Sequence, residues 1–195
     1  DALAGLQLDV PVVTLHSAGR GAPGLTVDQA AGAALAVGAL ADAGHRRIAH
    51  LTGPADWLEA EARAEGFAAA LASRGLEPGP VIEGDWTAGS GHRAAAAIRD
   101  AGVTAVFAGN DQMALGLIGG LRELGVEVPQ RISIAGFDDA PDAAYLWPAL
   151  TTVRQDFDEL ARRAVASVTG AGPVPEEPVA PVLVSRASIA VPPLV

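Results

Sequence analysis

The chain has 195 residues, half of them hydrophobic, so it can bury one substantial core or two small ones. Because only 4% of the residues are aromatic, Ala, Val and Leu must fill that core. The formal net charge is −10, since 23 acidic residues outnumber 13 basic ones, and this excess negative charge disfavours binding to nucleic acid or anionic membranes. The lack of cysteine excludes disulfides, thiolate catalysis and cysteine-based zinc sites, and four scattered histidines predict no metal site.

The sequence also argues against a membrane partner. No stretch approaches the ~18 consecutive apolar residues of a membrane span, and the N-terminal residues lack the charged start and apolar centre of a signal peptide. We therefore expect a cytoplasmic location, which the lack of cysteine also fits. Because the chain begins at Asp1, within a short amphipathic pattern, we expect further sequence upstream.

Strand and helix patterns alternate along most of the chain. Short apolar runs bounded by turn residues predict strands at 12–15, 47–51, 81–83, 103–108 and 131–137. Segments that end at glycine predict helices at 28–43, 59–73, 87–101 and 111–124. From residue 150 the pattern changes to an extended segment, a helix at 156–168, a loop at 170–181 and a strand at 181–189. This order predicts an α/β fold whose mostly parallel sheet has helices on both faces.

Polar side chains follow two of the predicted strands at the point where each strand ends. Asn110 follows the strand at 103–108, and Asp138 follows the strand at 131–137. Ligands of open α/β sheets bind at the carboxyl ends of the strands. An amide offers donors and acceptors, whereas an ionised carboxylate only accepts, so the pair favours a neutral polyhydroxylated ligand over a phosphate.

An enzymatic site is the weaker interpretation. Asp138 and Asp139 could be a carboxylate pair for glycoside hydrolysis, but adjacent residues at a strand end point in opposite directions. Ser90 and His92 lie too close together on one predicted helix to form a triad by spacing alone. We therefore predict no catalytic residue and no cofactor.

Five blocks in the same order resemble the lactose-repressor family of bacterial transcription regulators. They are AGHRRIAHLTGP at 43–54, EGDWTAGSG at 83–91, NDQMALG at 110–116, GFDD at 136–139 and PALTTVRQDF at 148–157. The resemblance implies a periplasmic-binding-protein-like fold of type I, in which a sugar or nucleobase binds between two lobes. It also implies DNA binding by a separate helix-turn-helix domain that these residues do not include. We expect one near-complete lobe and part of a second.

The resemblance implies domain boundaries and effector contacts. Residues 1–26 would belong to the N-terminal lobe, 27–153 to the C-terminal lobe, 154–185 to a return into the N-terminal lobe, and 186–195 to a final crossover and tail. The implied ligand-binding residues are His16, Arg63, Trp86, Asn110, Asp138 and Gln155. Departures from the family pattern at His16, Trp57 and Glu61 argue against a galactoside but leave a carbohydrate-like ligand.

Each of these residues also has an ordinary structural interpretation. Asn110 could cap the following helix, and Arg63 could pair with Glu59 on a solvated helix face. Trp86 could simply close the core, and His16 could bond a backbone carbonyl instead of a sugar. Gln155 lies in an extended polar segment without an evident core role.

Subunit contacts and the function class complete the predictions. The resemblance places a homodimer interface near the helix after NDQ, and the residues predicted there are Leu115, Ile118, Leu146 and Trp147. Leu115 and Ile118 also fit ordinary core spacing. The leading hypothesis is a sugar-responsive regulator that contacts DNA only through the separate domain. The alternative is an extracytoplasmic sugar-binding protein of a transporter, and a helix-turn-helix or a signal peptide upstream would separate the two.

Overall fold

A computed structural model describes residues 10–15, 25–172 and 175–193 of the chain. The strands are β1 (Ile48–Thr52), β2 (Pro78–Glu83), β3 (Ala105–Ala108), β4 (Ser133–Ala135), β5 (Thr152–Arg154) and β6 (Val182–Val184). The helices are α1 (Gln29–Asp42), α2 (Leu58–Ser73), α3 (Ala88–Asp100), α4 (Asp111–Glu123) and α5 (Phe157–Thr169), with a short 3-10 helix at Pro141–Tyr145. Strands and helices alternate from α1 to β4, as the sequence predicts.

The main sheet has four parallel strands in the order β2-β1-β3-β4. Because all four run in the same direction, their carboxyl ends meet at one edge. The antiparallel pair β5-β6 forms a second sheet. A parallel bridge between Ala135 and Thr151 joins the segment before β5 to the edge strand β4, so β5 delivers its own carboxyl end to the same region.

Both faces of the main sheet are covered by helices. Ala105 and Phe107 of β3 pack with α1 and α2, whereas Val106 and Ala108 pack with α3 and α4. This alternation follows from the two-residue period of a strand and produces a core on each side of the sheet. The predicted α/β fold with helices on both faces is therefore confirmed.

Glycines let α3 and α4 pack closely. A Cβ atom built on Gly116 of α4 would lie 1.7 Å from the carbonyl oxygen of Ala88, and one on Gly91 of α3 would lie 2.0 Å from that of Met113. Both obstacles are backbone atoms, which cannot rotate away. Gly119, also in α4, has no atom within 4 Å of such a Cβ.

We expect Gly116→Ala to destabilise the fold by about 1 to 2 kcal/mol, because the cost of overpacking exceeds the gain in helix propensity. Gly119→Ala is the matched control in the same helix and should be neutral or stabilise by up to ~1 kcal/mol. Urea unfolding of both variants measures the difference. Equal midpoints for the two variants would contradict the close approach of α3 and α4.

The ends of the described chain differ from the sequence prediction in two places. The strand predicted at 12–15 is wrong for the described residues, where only Leu15 forms an isolated bridge, with Leu25. The strand predicted at 181–189 shortens to β6, and the chain then runs beside β4, where Ser188 donates its hydroxyl to the Ile134 carbonyl at 2.6 Å. The Ile134 amide also donates to the Ser188 carbonyl at 2.8 Å, so one side-chain and one backbone bond hold this segment beside β4.

A third, small apolar cluster lies apart from the two main cores. It contains Val27, Leu160 of α5 and Val179, with Leu25 packed against it. The helix α5 is amphipathic, and Leu160 is the residue it buries. No helix in the described part of the chain is long and apolar enough to cross a membrane.

Candidate functional site

Four polar side chains form a closed ring beyond the carboxyl edge of the main sheet. Arg63 of α2 donates from Nε to Oε1 of Gln29 at 2.8 Å, and Gln29 donates from Nε2 to Oε1 of Gln155 at 2.8 Å. Gln155 then donates from Nε2 to Oδ1 of Asp138 at 2.7 Å. An ion pair of 3.6 Å between Arg63 and the same Asp138 oxygen closes the ring. Three of its members are predicted ligand-binding residues.

Arg63 occupies a buried position. The residue is only 5% exposed, and its Nη1 donates to the carbonyl of Gly109, which follows β3. The guanidinium carbon lies 3.9 Å from the centre of the Phe137 ring and 5.5 Å from that of Trp86. Burial lowers the pKa of Arg63 from its ordinary value, and Asp138 opposes that effect. The alternative of a solvated surface arginine is therefore wrong.

Asp138 is the acidic member of the ring. Its backbone φ is 110°, which is rare for a residue with a side chain and turns the carboxylate towards Arg63 and Gln155. Burial raises the pKa of Asp138, whereas Arg63 and Gln155 act to lower it. About a third of the side chain remains exposed. Asp138 can therefore accept hydrogen bonds from a ligand.

Asp139 has different partners. Its carboxylate, which is 7% exposed, accepts from Arg154 of β5 at 2.7 Å and from Arg186 at 2.6 Å. Burial alone would raise the pKa of Asp139, but the two arginines bring it below its ordinary value. Both oxygens are thus bonded to arginine, while Asp138 faces the ring. The two aspartates do not form a pair around one substrate.

Asn110 caps α4. The amide of Met113 donates to its Oδ1 at 2.8 Å, and its Nδ2 donates to the carbonyl of Trp86 at 3.0 Å. The capping alternative is therefore observed, and it leaves the second Nδ2 hydrogen for a ligand. Asp111 does not compete for the cap, because its oxygens accept from Thr152 and from the Ala140 amide.

Trp86 lies at the border between the core and the site. It has a positive φ of 68°, and its ring packs over Gly53, where an added Cβ would lie 2.1 Å from a ring atom. The ring contacts the core of α3 and α4 and faces the Arg63 guanidinium. Both interpretations of Trp86 therefore have a structural basis.

Trp57 and Glu61, at which the sequence departs from the family pattern, are not part of this arrangement. His16 lies outside the described residues. Trp57 and Glu61 are exposed at the start of α2. Within the described residues, no three His, Asp or Glu side chains come together in a group that could hold a metal ion.

Sequence reasoning missed Gln29, the fourth member of the ring. Gln29 is 6% exposed and is the first residue of α1, whose buried residues include Ala33, Ala36, Val37 and Leu40. The helical spacing of that buried face extends back to position 29. A polar residue on a buried face was the signal that could have identified it.

Three of the four predicted subunit contacts line one groove. Trp147 is 88% exposed and Leu115 is 38% exposed, whereas Ile118 is buried and Leu146 is half-buried. A groove of about 1030 Å³ runs between the end of α4 and the 3-10 helix, and Ile118, Tyr145, Leu146 and Trp147 contribute to its lining. Leu115 is not among the residues that line it.

Comparisons with known proteins identify the family of the chain. A family model described as a periplasmic binding protein-like domain matches residues 37–189. An uncharacterized HTH-type transcriptional regulator in the aml 5' region of Streptomyces limosus is 38% identical over 152 residues, which are 75% of this chain and 43% of that protein. The matched residues span 35 to 52% of the length of the curated relatives.

Two solved structures are similar over nearly the whole chain. A sugar-binding transcriptional regulator of the LacI family from Escherichia coli, complexed with phosphate, has a TM-score of 0.86 and 31% identity, with 93% of this chain and 69% of that chain covered. A dimeric Lac repressor with an 11-residue C-terminal deletion has a TM-score of 0.87 and 31% identity, with 95% and 71% covered. The chain therefore belongs to the periplasmic binding protein-like domain family and, within it, to the LacI family.

Proposed function

We propose that this chain is the effector-binding part of a cytoplasmic, sugar-responsive transcription regulator. The observation that carries the proposal is the ring of Arg63, Gln29, Gln155 and Asp138 at the carboxyl edge of the sheet. A guanidinium offers several donors and a carboxylate several acceptors, which together suit the hydroxyl groups of a sugar. The ion pair is close to neutral overall, so it favours a neutral ligand.

The coupling to DNA would follow from a shift between lobe arrangements. Gln155 follows β5 and leads into α5, so it lies where the chain leaves the well-formed lobe. A ligand that makes better contacts in one arrangement increases the population of that arrangement. A helix-turn-helix domain elsewhere in the protein would report the change to DNA, as the name of the Streptomyces limosus relative suggests.

The site supports binding over catalysis. Glycoside hydrolysis requires two carboxyl groups that face one substrate, but Asp139 is held by Arg154 and Arg186. An extracytoplasmic sugar-binding protein would share the fold. The regulator is favoured because the similar proteins described above are named as transcriptional regulators or repressors.

Isothermal titration calorimetry with the full-length protein tests the proposal. The probes are lactose, cellobiose, ribose and maltose as neutral sugars, and glucose 6-phosphate as a charged one. We expect at least one neutral sugar to bind more tightly than the phosphorylated sugar. If no neutral sugar binds, or if only the phosphorylated sugar does, the proposed ligand class is rejected.

The proposal includes a division of the chain between two lobes. Residues 27–153 form the C-terminal lobe, while 1–26 and 154–185 belong to the N-terminal lobe and 186–195 return along the first. The separate cluster in which Leu25 packs with Leu160 and Val179 supports this division, and Val27, at the boundary, also packs there. So do Phe157 and Val165 of α5, whose exposed apolar side chains would pack against the rest of an N-terminal lobe.

We further propose a homodimer that uses the groove beside Trp147. Trp147 and Tyr145 are both more than four-fifths exposed and adjoin Leu146, and such a cluster of exposed apolar side chains marks an interaction surface. Leu115 of α4, which lies outside the groove lining, would extend the contact along that helix. The solved dimeric Lac repressor supports the choice of a second copy as the partner.

We expect Trp147→Asp to shift the full-length protein from dimer towards monomer, because a carboxylate would replace an apolar contact at the interface. Analytical ultracentrifugation measures the dissociation constant. The matched control is Trp57→Asp, since Trp57 is also exposed but lies at the N-cap position of α2, outside the groove lining. An equal change in both variants would place the interface elsewhere.

A further inference from the structure

Gln29 is the ring member that lies between Arg63 and Gln155. Its Oε1 accepts from Arg63, and its Nε2 donates to Gln155. We propose that Gln29 is a positioning residue that fixes the amide orientation of Gln155 and the plane of the Arg63 guanidinium for effector binding. The inference rests on the proposed function and names a residue that controls its site.

The two charged residues of the ring, Arg63 and Asp138, determine the direction of every hydrogen bond in it. Arg63 can only donate, so Gln29 must turn Oε1 towards it and present Nε2 to Gln155. Ionised Asp138 can only accept, so Gln155 must present Nε2 to it and Oε1 to Gln29. Neither amide can rotate by 180° without placing two acceptors or two donors face to face. The geometry therefore selects one orientation for each amide.

This arrangement determines which atoms remain for a ligand. Gln29 and the Gly109 carbonyl each accept one hydrogen bond from Arg63. The remaining N–H groups of Arg63 include the two on Nη2, the atom that faces Asp138. The ring occupies only Oδ1 of Asp138, which leaves Oδ2 to accept from a hydroxyl group. Gln155 keeps its second Nε2 hydrogen as a further donor.

Gln29 also has a firm anchor of its own. It follows Asp28, which caps α1 by accepting from the Ala31 amide at 2.9 Å. The Asp28 amide donates to the Val179 carbonyl at 3.0 Å, and the Val179 amide donates to Thr26 at 2.8 Å. Gln29 therefore connects the segment 26–28, which pairs with Val179, to the segment after β5 that carries Gln155.

The sharpest test is Gln29→Glu in the full-length protein. A glutamate can accept from Arg63 but cannot donate to Gln155, so the Gln155 amide should turn and present Oε1 to Asp138. We expect the Asp138 pKa, measured by carbon-13 NMR of the carboxyl group, to rise above the wild-type value. We also expect the affinity for the neutral sugar identified by calorimetry to fall by about tenfold or more.

A second background separates this reorientation from the simple effect of an added charge. In Gln155→Met protein, Gln29→Glu should raise the Asp138 pKa by less, because no amide remains to turn. An equal rise in both backgrounds would overturn the proposal. Gln130→Glu, which adds a carboxylate at an exposed position, is the matched control and should leave both quantities unchanged.

Two further measurements keep the test decisive. Gln29→Leu removes both hydrogen bonds without adding charge and should also lower the sugar affinity. In the wild-type protein, the side-chain amide protons of Gln29 and Gln155 should exchange slowly with solvent, and rapid exchange of both would overturn the proposal. The pKa and exchange measurements need no ligand, so they still decide the role of Gln29 if no sugar binds and the proposed function fails.

Discussion

Arg63→Ala is expected to weaken sugar binding by about 1 to 3 kcal/mol, or about 5- to 140-fold in Kd. The guanidinium is buried against Phe137 and bonded to Gln29 and Gly109, so its remaining donors are held in place before a ligand arrives. Its loss also leaves Asp138 without a cation 3.6 Å away. A ligand hydroxyl would then meet an unpaired carboxylate in place of a matched donor and acceptor.

Calorimetry on the full-length protein, with the neutral sugar found by the titration panel, measures this loss. Arg93→Ala is the matched control, because Arg93 is largely exposed and pairs with Asp85 on the surface; its Kd should be unchanged. Arg63→Lys keeps the charge but loses the planar guanidinium, so its Kd should lie between those of the wild type and Arg63→Ala. Unchanged affinity in a folded Arg63→Ala protein would remove Arg63 from the binding site.

The stability of the fold is expected to decrease as the pH falls from 6.5 to 4 because of His50. The ring lies in β1 between Phe67 and Phe107, at centroid distances of 4.9 and 4.7 Å, and is 1% exposed. Burial lowers the pKa of His50 from 6.5 to about 4. The hydrogen bond to the Phe107 carbonyl acts to raise this pKa, and the charge of Arg63 lowers it further. As the pH falls, His50 therefore takes up a proton at a higher pH in the unfolded chain than in the folded one. This lowers the free energy of unfolding by about 3 kcal/mol.

Urea unfolding of the wild type and His50→Leu at a series of pH values measures this contribution. The stability of the wild type relative to the variant should be constant above pH 6.5, decline to about pH 4 and then level off. His50→Phe keeps an aromatic ring between Phe67 and Phe107 and should behave as His50→Leu does. Parallel pH profiles of wild type and both variants would show that His50 does not titrate in this way.

A second buried group acts in the opposite direction over the same range. Burial raises the pKa of Asp111 to about 6, against the hydrogen bonds from Thr152 and Ala140. The folded protein therefore holds this proton more tightly than the unfolded chain, so the Asp111 contribution to stability is lost as the pH rises through about 6. Because Asp111 is present in the wild type and in both His50 variants, its contribution cancels in their difference.

The architecture could be predicted from the sequence because local signals and packing agree. Asp28, Thr87, Asn110 and Asp156 cap the helices that follow them, and the left-handed Gly125 ends α4 where the pattern places its end. The prediction was wrong at the described residues 12–15, which form no strand. The pairing there is a single isolated bridge between Leu15 and Leu25, beside which the Leu25 amide donates to the Thr14 carbonyl at 3.0 Å.

The site could be predicted only in part, because strand-end polarity indicates a location but not the contacts. Arg63, Asp138 and Gln155 converge as the family resemblance implies. Gln29 was missed because its role depends on a contact with Gln155, 126 positions away. The roles of Asp111 and His50 were likewise missed, because burial inside the folded chain produces their shifted pKa values.

The carboxylate of Asp139 has a mechanical consequence. It binds both Arg154 of β5 and Arg186, which follows β6, to the turn after β4. Because both arginines bond to the same carboxylate, the segments at 154 and 186 cannot separate there without breaking an ion pair. Gln155 comes directly after Arg154, so a change of backbone direction beyond this ion pair would begin at a member of the ring.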